Sequence, residues 1–155
     1  MKKYLLLLSV IILGLSACKR SGDVTADQAM VDDAKIQAYL KANVPNPSIY
    51  TKDPSGIYYT VITNGTGAFP TAASTVQVAY TGKLLNGDTF DQKGNIQFSL
   101  SQVIKGWQIG IPKINKDGRI RLIIPSGLAY GATGSGSIPA NGVLVFTIDL
   151  IGFFN

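Results

Sequence analysis

The amino-acid sequence predicts an α+β domain: a curved antiparallel β-sheet wrapped around one short helix and preceded by an N-terminal helix. Three observations carry that expectation. Apolar and polar residues alternate with a period of two in several runs, one short helical segment lies between those runs, and a strong turn signal joins two of them. In TVQVAYTGKL, Val76, Val78 and Tyr80 share one face. In RIRLII, Ile120, Leu122 and Ile124 do the same while Arg119 and Arg121 point away, and VLVFTIDLIGF puts Leu144, Phe146, Ile148 and Leu150 together. Such strands are half-buried, with a core on one side and water on the other. Asn86 and Gly87 in LLNGDTF favour a tight turn between two strands. In SLSQVIKGWQIGIPK, Ser101 is the expected cap of a short helix running to about Ile111, before Pro112.

Composition narrows the chemistry. Of 155 residues, 46% are apolar and 15% charged, as suits one globular core with a terminal extension. The formal charge is +5, and Lys2 and Lys3 supply two of those charges. The remaining basic residues are scattered among aspartates, so a nucleic-acid surface is not expected. With no histidine and a single cysteine, Cys18, the chain holds no imidazole-based triad, no Cys/His zinc site and no internal disulfide. No metal or other cofactor is expected.

The N-terminus reads MKKYLLLLSVIILGLSAC. Lys2 and Lys3 precede an apolar run from Leu5 to Leu15, and small residues follow, which is the pattern of a secretion signal. The run is short for a span, which needs about 20 apolar residues. LSAC resembles the lipobox of bacterial lipoproteins, whose cysteine becomes the lipidated first residue. Residues 1–17 are thus expected to be a signal peptide, and residues 18–50 a lipidated tether with a helix and a linker. The resemblance places the chain in the cell envelope, and Lys19 directly after the cysteine favours the outer membrane. Anchoring of this kind needs more than one acyl chain, each contributing about 0.8 kcal/mol per buried CH₂.

The tether's helix is expected to start at Thr25 as N-cap, with Gln28 as reciprocal partner, and to stop near Asn43 and Pro45. Met30, Ala34, Tyr39 and Leu40 form a modest apolar stripe, which can pack on the domain or on a second copy. NVPNPS, residues 43–48, reads as a proline-stiffened linker, and residues 51–155 as the globular domain.

YGATGSGSIP, residues 130–139, joins two core strands and is long enough to fold over an end of the sheet as an ordered flap. It is no phosphate loop, because no Gly-Lys-Ser/Thr follows and no helix opens there. Asp88 and Asp91 lack the supporting partners of a hydrolytic acid/base pair, as turn and strand-end aspartates often do.

VAYTGKLLNGDTFD (78–91), VIKGWQIG (103–110), RLIIPSGLAYGATG (121–134) and IPANGVLVFTIDLIGF (138–153) resemble, in the family's order, the signatures of FKBP-type peptidyl-prolyl isomerases. The resemblance implies a shallow apolar pocket between sheet and helix, formed by Tyr80, Phe90, Asp91, Phe98, Val103, Ile104, Trp107, Tyr130, Ile138 and Phe146. It implies that Trp107 is the floor, that the Ile104 backbone N–H and the Tyr130 hydroxyl donate to a substrate carbonyl, and that Asp91 forms a polar edge bonded to Tyr80. Tyr130, Asp91, Phe90 and Trp107 are the implied catalytic group, and the others contact substrate. Proline-containing polypeptides are the implied clients, and macrolides the implied inhibitors. Two positions depart from the family pattern: Ile96 replaces an aromatic wall residue, and the flap between Gly134 and Pro139 is one residue shorter, with Ser135 near a position often aromatic or His. The alternatives are a chaperone or proline-segment binding module on the same fold, or an envelope lipoprotein assembled through its helix.

Overall fold

The computed structural model describes residues 21–154, with side chains from Ala26 onward. The expected signal segment and Cys18 lie outside the described residues. Helix α1 covers Ser21–Asn43, and strands follow at Thr51–Lys52 (β1), Tyr58–Thr63 (β2), Thr75–Leu84 (β3) and Thr89–Ser99 (β4). Helix α2 is Lys105–Gly110, and strands β5 and β6 are Arg119–Ile124 and Leu144–Phe154. The strands form one six-stranded sheet in the order β1-β2-β5-β6-β3-β4, each neighbouring pair antiparallel.

The period-two pattern becomes two faces. Val76, Val78, Tyr80, Ile120, Leu122, Ile124, Leu144, Phe146, Ile148 and Leu150 meet Trp107 and Ile111 in the main core, on the face that cups α2. The hairpin turn between β3 and β4 holds Gly87 at φ 95, a left-handed value that costs glycine little. The opposite face is not given over to water, as the alternation suggested. There α1 lays Ile36 and Leu40 on Tyr58, Ile123, Val143 and Val145, a second buried cluster. Each of those two helix side chains contributes about 1.5–3 kcal/mol by burial.

Both predicted helix starts are corrected. Thr25 lies inside α1, which already runs from Ser21, and the Gln28 side chain turns inward along the helix to donate to Asp32 at 2.7 Å. Ser101 sits in a separate 3₁₀ turn, Leu100–Gln102. Val103 and Ile104 then adopt extended backbone (ψ 172 and 148), so α2 cannot begin before Lys105. The apolar stripe of α1 holds at its C-terminal end, where Leu40 is buried and Tyr39 packs on the same cluster, and shifts before it. Met30 and Ala34 are exposed, whereas Asp32, Ile36 and Leu40, spaced four apart, are buried against the domain.

Helix α2 approaches the sheet very closely, and two glycines permit it. A Cβ at Gly106 would stand 2.4 Å from Ile124 Cγ2, and one at Gly110 2.4 Å from Leu122 Cδ1. Larger residues would lift the helix off β5. From the far end of this layer Lys113 reaches Asp53 at 2.7 Å and also lies over the Tyr59 ring, 4.6 Å from its centroid.

The Lys113 ammonium and the Ser55 backbone N–H together lower the Asp53 pKa from 3.8 to about 2. A carboxylate depressed in this way adds stability that is complete above about pH 4 and disappears as the pH falls through 2. After allowance for solvent screening the gain is about 1 kcal/mol. Asp53→Asn should therefore lower the melting temperature by about 3 °C at pH 7. The difference should vanish in melts recorded near pH 2.

Candidate active site

Between the concave face, the start of α2 and the base of the glycine-rich loop lies a hollow of about 340 Å³. Strand β3 contributes Tyr80, β4 contributes Phe90, Asp91 and Phe98, and β6 contributes Phe146. Val103, Ile104 and Trp107 enter from the turn into α2, and Tyr130 from the loop after β5. These nine are predicted pocket residues that the fold brings to one place. Ile138, the tenth, belongs to the main core with Tyr80, Trp107 and Phe146 but is not among the residues that line the hollow. Its backbone is tied to Ser135 in an isolated bridge, and its side chain is buried. Gln102 lines the hollow and had no signal in the sequence, because an exposed glutamine in a turn looks like ordinary surface. Ile96 is half-buried on β4, packs against the main core and stands outside the lining.

The floor is an aromatic cluster. Trp107 meets Tyr80, Phe146 and Phe98 edge to face, with centroids 5.0, 5.2 and 5.7 Å apart and interplanar angles of 84°, 83° and 84°. Phe90 stands edge-on to Phe146 at 5.5 Å. Such pairs contribute about 0.5–1.5 kcal/mol each beyond burial, and they hold the rings in one arrangement. Gly82 makes room for two of them, since a Cβ there would lie 2.5 Å from Phe90 Cζ and 2.8 Å from Phe146 Cε1.

The polar rim is sparse and ordered. The Tyr80 hydroxyl donates to Asp91, whose other oxygen accepts the Gln92 N–H at 2.8 Å. Burial, and then this bond to a carboxylate, push the Tyr80 phenol well above its ordinary range, so it remains a donor at neutral pH. Gln108 Nε2 donates to the Val103 carbonyl at 2.7 Å and fixes the turn that presents Ile104. Around the hollow three donors find no acceptor among the described residues: the Ile104 N–H, the Tyr130 hydroxyl and the buried Trp107 Nε1–H. Apolar walls with unused donors suit a guest that is mostly hydrocarbon and carries a carbonyl.

The loop beyond Tyr130 is a rigid frame. Gly131, Gly134 and Gly136 all have φ between 55 and 70. Ser135 and Ile138 exchange backbone hydrogen bonds of 2.9 and 2.8 Å, closing a two-residue turn, and Asn141 N–H reaches the Gly131 carbonyl at 2.9 Å. A Cβ at Gly134 would meet the Ile138 carbonyl oxygen at 2.4 Å, so that position takes glycine for space as well as for angle. Tyr130, at the loop's base, is 41% exposed while lining the hollow.

Because Phe90 and Phe146 fill the space above Gly82, Gly82→Ala should displace both rings and cost about 1–3 kcal/mol in urea unfolding. The emission of Trp107, the chain's sole tryptophan, should shift in the same variant.

Comparison with known proteins adds the family. The family model described as FKBP-type peptidyl-prolyl cis-trans isomerase matches residues 67–151. A curated relative, the FKBP-type peptidyl-prolyl cis-trans isomerase FkpA of Aeromonas hydrophila, is 40% identical over 131 residues, covering 81% of this chain and 48% of the relative. FkpA of Escherichia coli strain K12 is 37% identical over 124 residues, covering 77% and 46%. The chain thus spans about half the length of these curated relatives. Among solved structures, a peptidyl-prolyl cis-trans isomerase from Pseudomonas syringae superposes with a TM-score of 0.71 at 33% identity, covering 84% of this chain and 96% of that one. FkpA from Escherichia coli does so with a TM-score of 0.72 at 33% identity, covering 85% and 63%. The matched span contains the β3–β4 hairpin, α2, β5 and the glycine-rich loop, and on these matches the chain belongs to the FKBP-type peptidyl-prolyl cis-trans isomerase family.

Proposed function

We propose that the chain is a peptidyl-prolyl cis-trans isomerase acting on Xaa-Pro bonds of exported polypeptides. The observation that carries this reading is the ring-lined hollow with unused donors at its rim. An Xaa-Pro amide turns slowly because resonance gives its C–N bond double-bond character, with a barrier of about 18–20 kcal/mol. No bond has to break and no proton has to move. Twisting removes the resonance, leaving a less polar carbonyl and a more pyramidal nitrogen.

A cavity walled by Tyr80, Phe98, Trp107 and Phe146 replaces the water that favours the planar amide, and so favours the twisted one. The prolyl ring is an apolar disc of a size to lie on Trp107, while Ile104 N–H and the Tyr130 hydroxyl hold the carbonyls on either side. Asp91 works through Tyr80, whose position it fixes. Each tenfold of rate requires about 1.4 kcal/mol of preference for the twist, within reach of ring packing and two hydrogen bonds. The chemistry asks for neither histidine nor cysteine, which the described residues lack.

The proposal extends to location. The basic start, the apolar run and LSAC support export followed by lipidation at Cys18, with the catalytic domain tethered at the outer membrane and its clients crossing the envelope. The described helix α1 is not apolar enough to cross a membrane. Macrolides with a prolyl-like ring would occupy the same hollow and compete with clients.

The purified chain should accelerate isomerisation of a short Xaa-Pro peptide. Trp107→Ala should lower kcat/KM by at least about tenfold through lost ring packing, and Tyr130→Phe by about three- to tenfold, the value of one hydrogen bond. Binding of the peptide by folded protein without any acceleration would favour the non-catalytic binding module instead. In cells, Cys18→Ser should move the protein out of the membrane fraction.

A further inference from the structure

Helix α1 sends one carboxylate deep into the contact with the domain. Asp32 is 1% exposed, and its Oδ2 accepts both the Ser126 N–H at 2.8 Å and the Ser126 Oγ–H at 2.6 Å. Its Oδ1 accepts from Gln28 at 2.7 Å, with Lys35 Nζ at 3.6 Å. Ser126 opens the 3₁₀ turn Ser126–Leu128, and its own carbonyl accepts the N–H groups of Ala129 at 3.0 Å and Gly131 at 2.9 Å. Those two amides flank Tyr130. A continuous set of hydrogen bonds therefore runs from the helix to both sides of the residue that offers its hydroxyl to the hollow.

The remaining supports of this segment come from the domain itself, with Leu128 N–H on the Pro125 carbonyl, Gly134 N–H on the Tyr130 carbonyl and Asn141 N–H on the Gly131 carbonyl. The Leu128 bond holds the Pro125–Ser126 peptide from the domain side, whereas the Ser126 side chain is held by α1. The serine's side chain and its amide both turn to α1, and they are buried there. A buried serine with two donors aimed at one oxygen cannot rotate freely, so the helix has a direct part in setting the carbonyl it presents to Ala129 and Gly131.

We infer that Asp32 is a positioning residue for the isomerase site: through Ser126 it orients the Ala129–Gly131 segment and so places the Tyr130 hydroxyl. The N-terminal helix is on this account a part of the catalytic apparatus and not merely a spacer to the tether. The inference rests on the isomerase reading given above for what Tyr130 does, although the hydrogen-bonded path stands without it. Asp33, the adjacent residue, supplies an internal control. It binds Tyr58 and Lys52 at 2.8 and 2.5 Å, so it too ties α1 to the sheet, and it makes no hydrogen bond to the Ser126 turn.

The test is a double-mutant cycle on the full chain, read as kcat/KM for an Xaa-Pro peptide. Asp32→Ala should reduce kcat/KM about three- to fivefold, and by no more than Tyr130→Phe does. In a Tyr130→Phe background the same change should cost less than about twofold, because the group it positions is already gone. Asp32→Asn, which keeps an acceptor for Ser126 and can pair with a flipped Gln28 amide, should recover most of the rate. Asp33→Ala should lower the melting temperature and leave kcat/KM within about twofold of the original. Equal costs of Asp32→Ala with and without the Tyr130 hydroxyl, or an unchanged rate in folded Asp32→Ala, would overturn the inference. Should Asp32→Ala not fold, Ser126→Ala enters the same cycle with the same two outcomes. Hydrogen exchange at the Ala129 and Gly131 amides separates this failure from failure of the isomerase reading. If the unaltered chain shows no acceleration, faster exchange at these two amides in the Asp32 or Ser126 variant still supports the path, and unchanged exchange refutes it.

Discussion

The arrangement depends on how near a helix can come to a sheet. Gly106 and Gly110 lie on the face of α2 that rests on Ile124 and Leu122, and neither position has room for a methyl group. Close contact between backbone and strand fixes the height of the helix, and the height fixes Trp107, which points from the same helix among Tyr80, Phe98 and Phe146. A helix held farther from β5 would shift the indole against these rings and so reshape the hollow. The volume available to a guest is therefore set by residues that do not line it.

The two faces of the sheet divide the labour. The concave face with α2 builds the aromatic floor, and the convex face receives α1 through Ile36 and Leu40. These layers meet at the end of β5, where the chain leaves Ile124, passes Pro125 and reaches Ser126 beside Asp32. A covering helix of this kind shields apolar surface and also ties down a loop, and it can do both because its buried face includes one carboxylate whose hydrogen-bonding capacity is met across the contact.

Much of this was readable from the chain alone. The alternation in residues 75–84, 119–124 and 144–154 predicts the central strands and the identity of the core, because a half-buried strand has to segregate its side chains by side. Asn86-Gly87 predicts its hairpin because only certain residues accept the required angles. Residues such as Trp107, Phe98 and Phe146 are apolar in any β-rich domain, so their role as lining came from resemblance to a family and not from periodicity. What escaped has a common cause. Asp32 reads as solvent-facing, and its partner Ser126 lies 94 positions away. Gln102 looks like surface, and the late start of α2 follows from extended backbone at Val103 and Ile104, where Gln108 reaches back to the Val103 carbonyl. Local sequence encodes side and spacing, whereas pairing between distant polar groups belongs to the assembled chain.

The loop after Tyr130 closes on itself: Ser135 with Ile138, Gly131 with Asn141, Tyr130 with Gly134. It is a preset hoop and not a swinging gate. Its freedom is surrendered when the chain folds, so an arriving polypeptide meets a finished aperture and association carries no further loss of loop entropy. Neither capture nor escape then waits on a rearrangement of the loop.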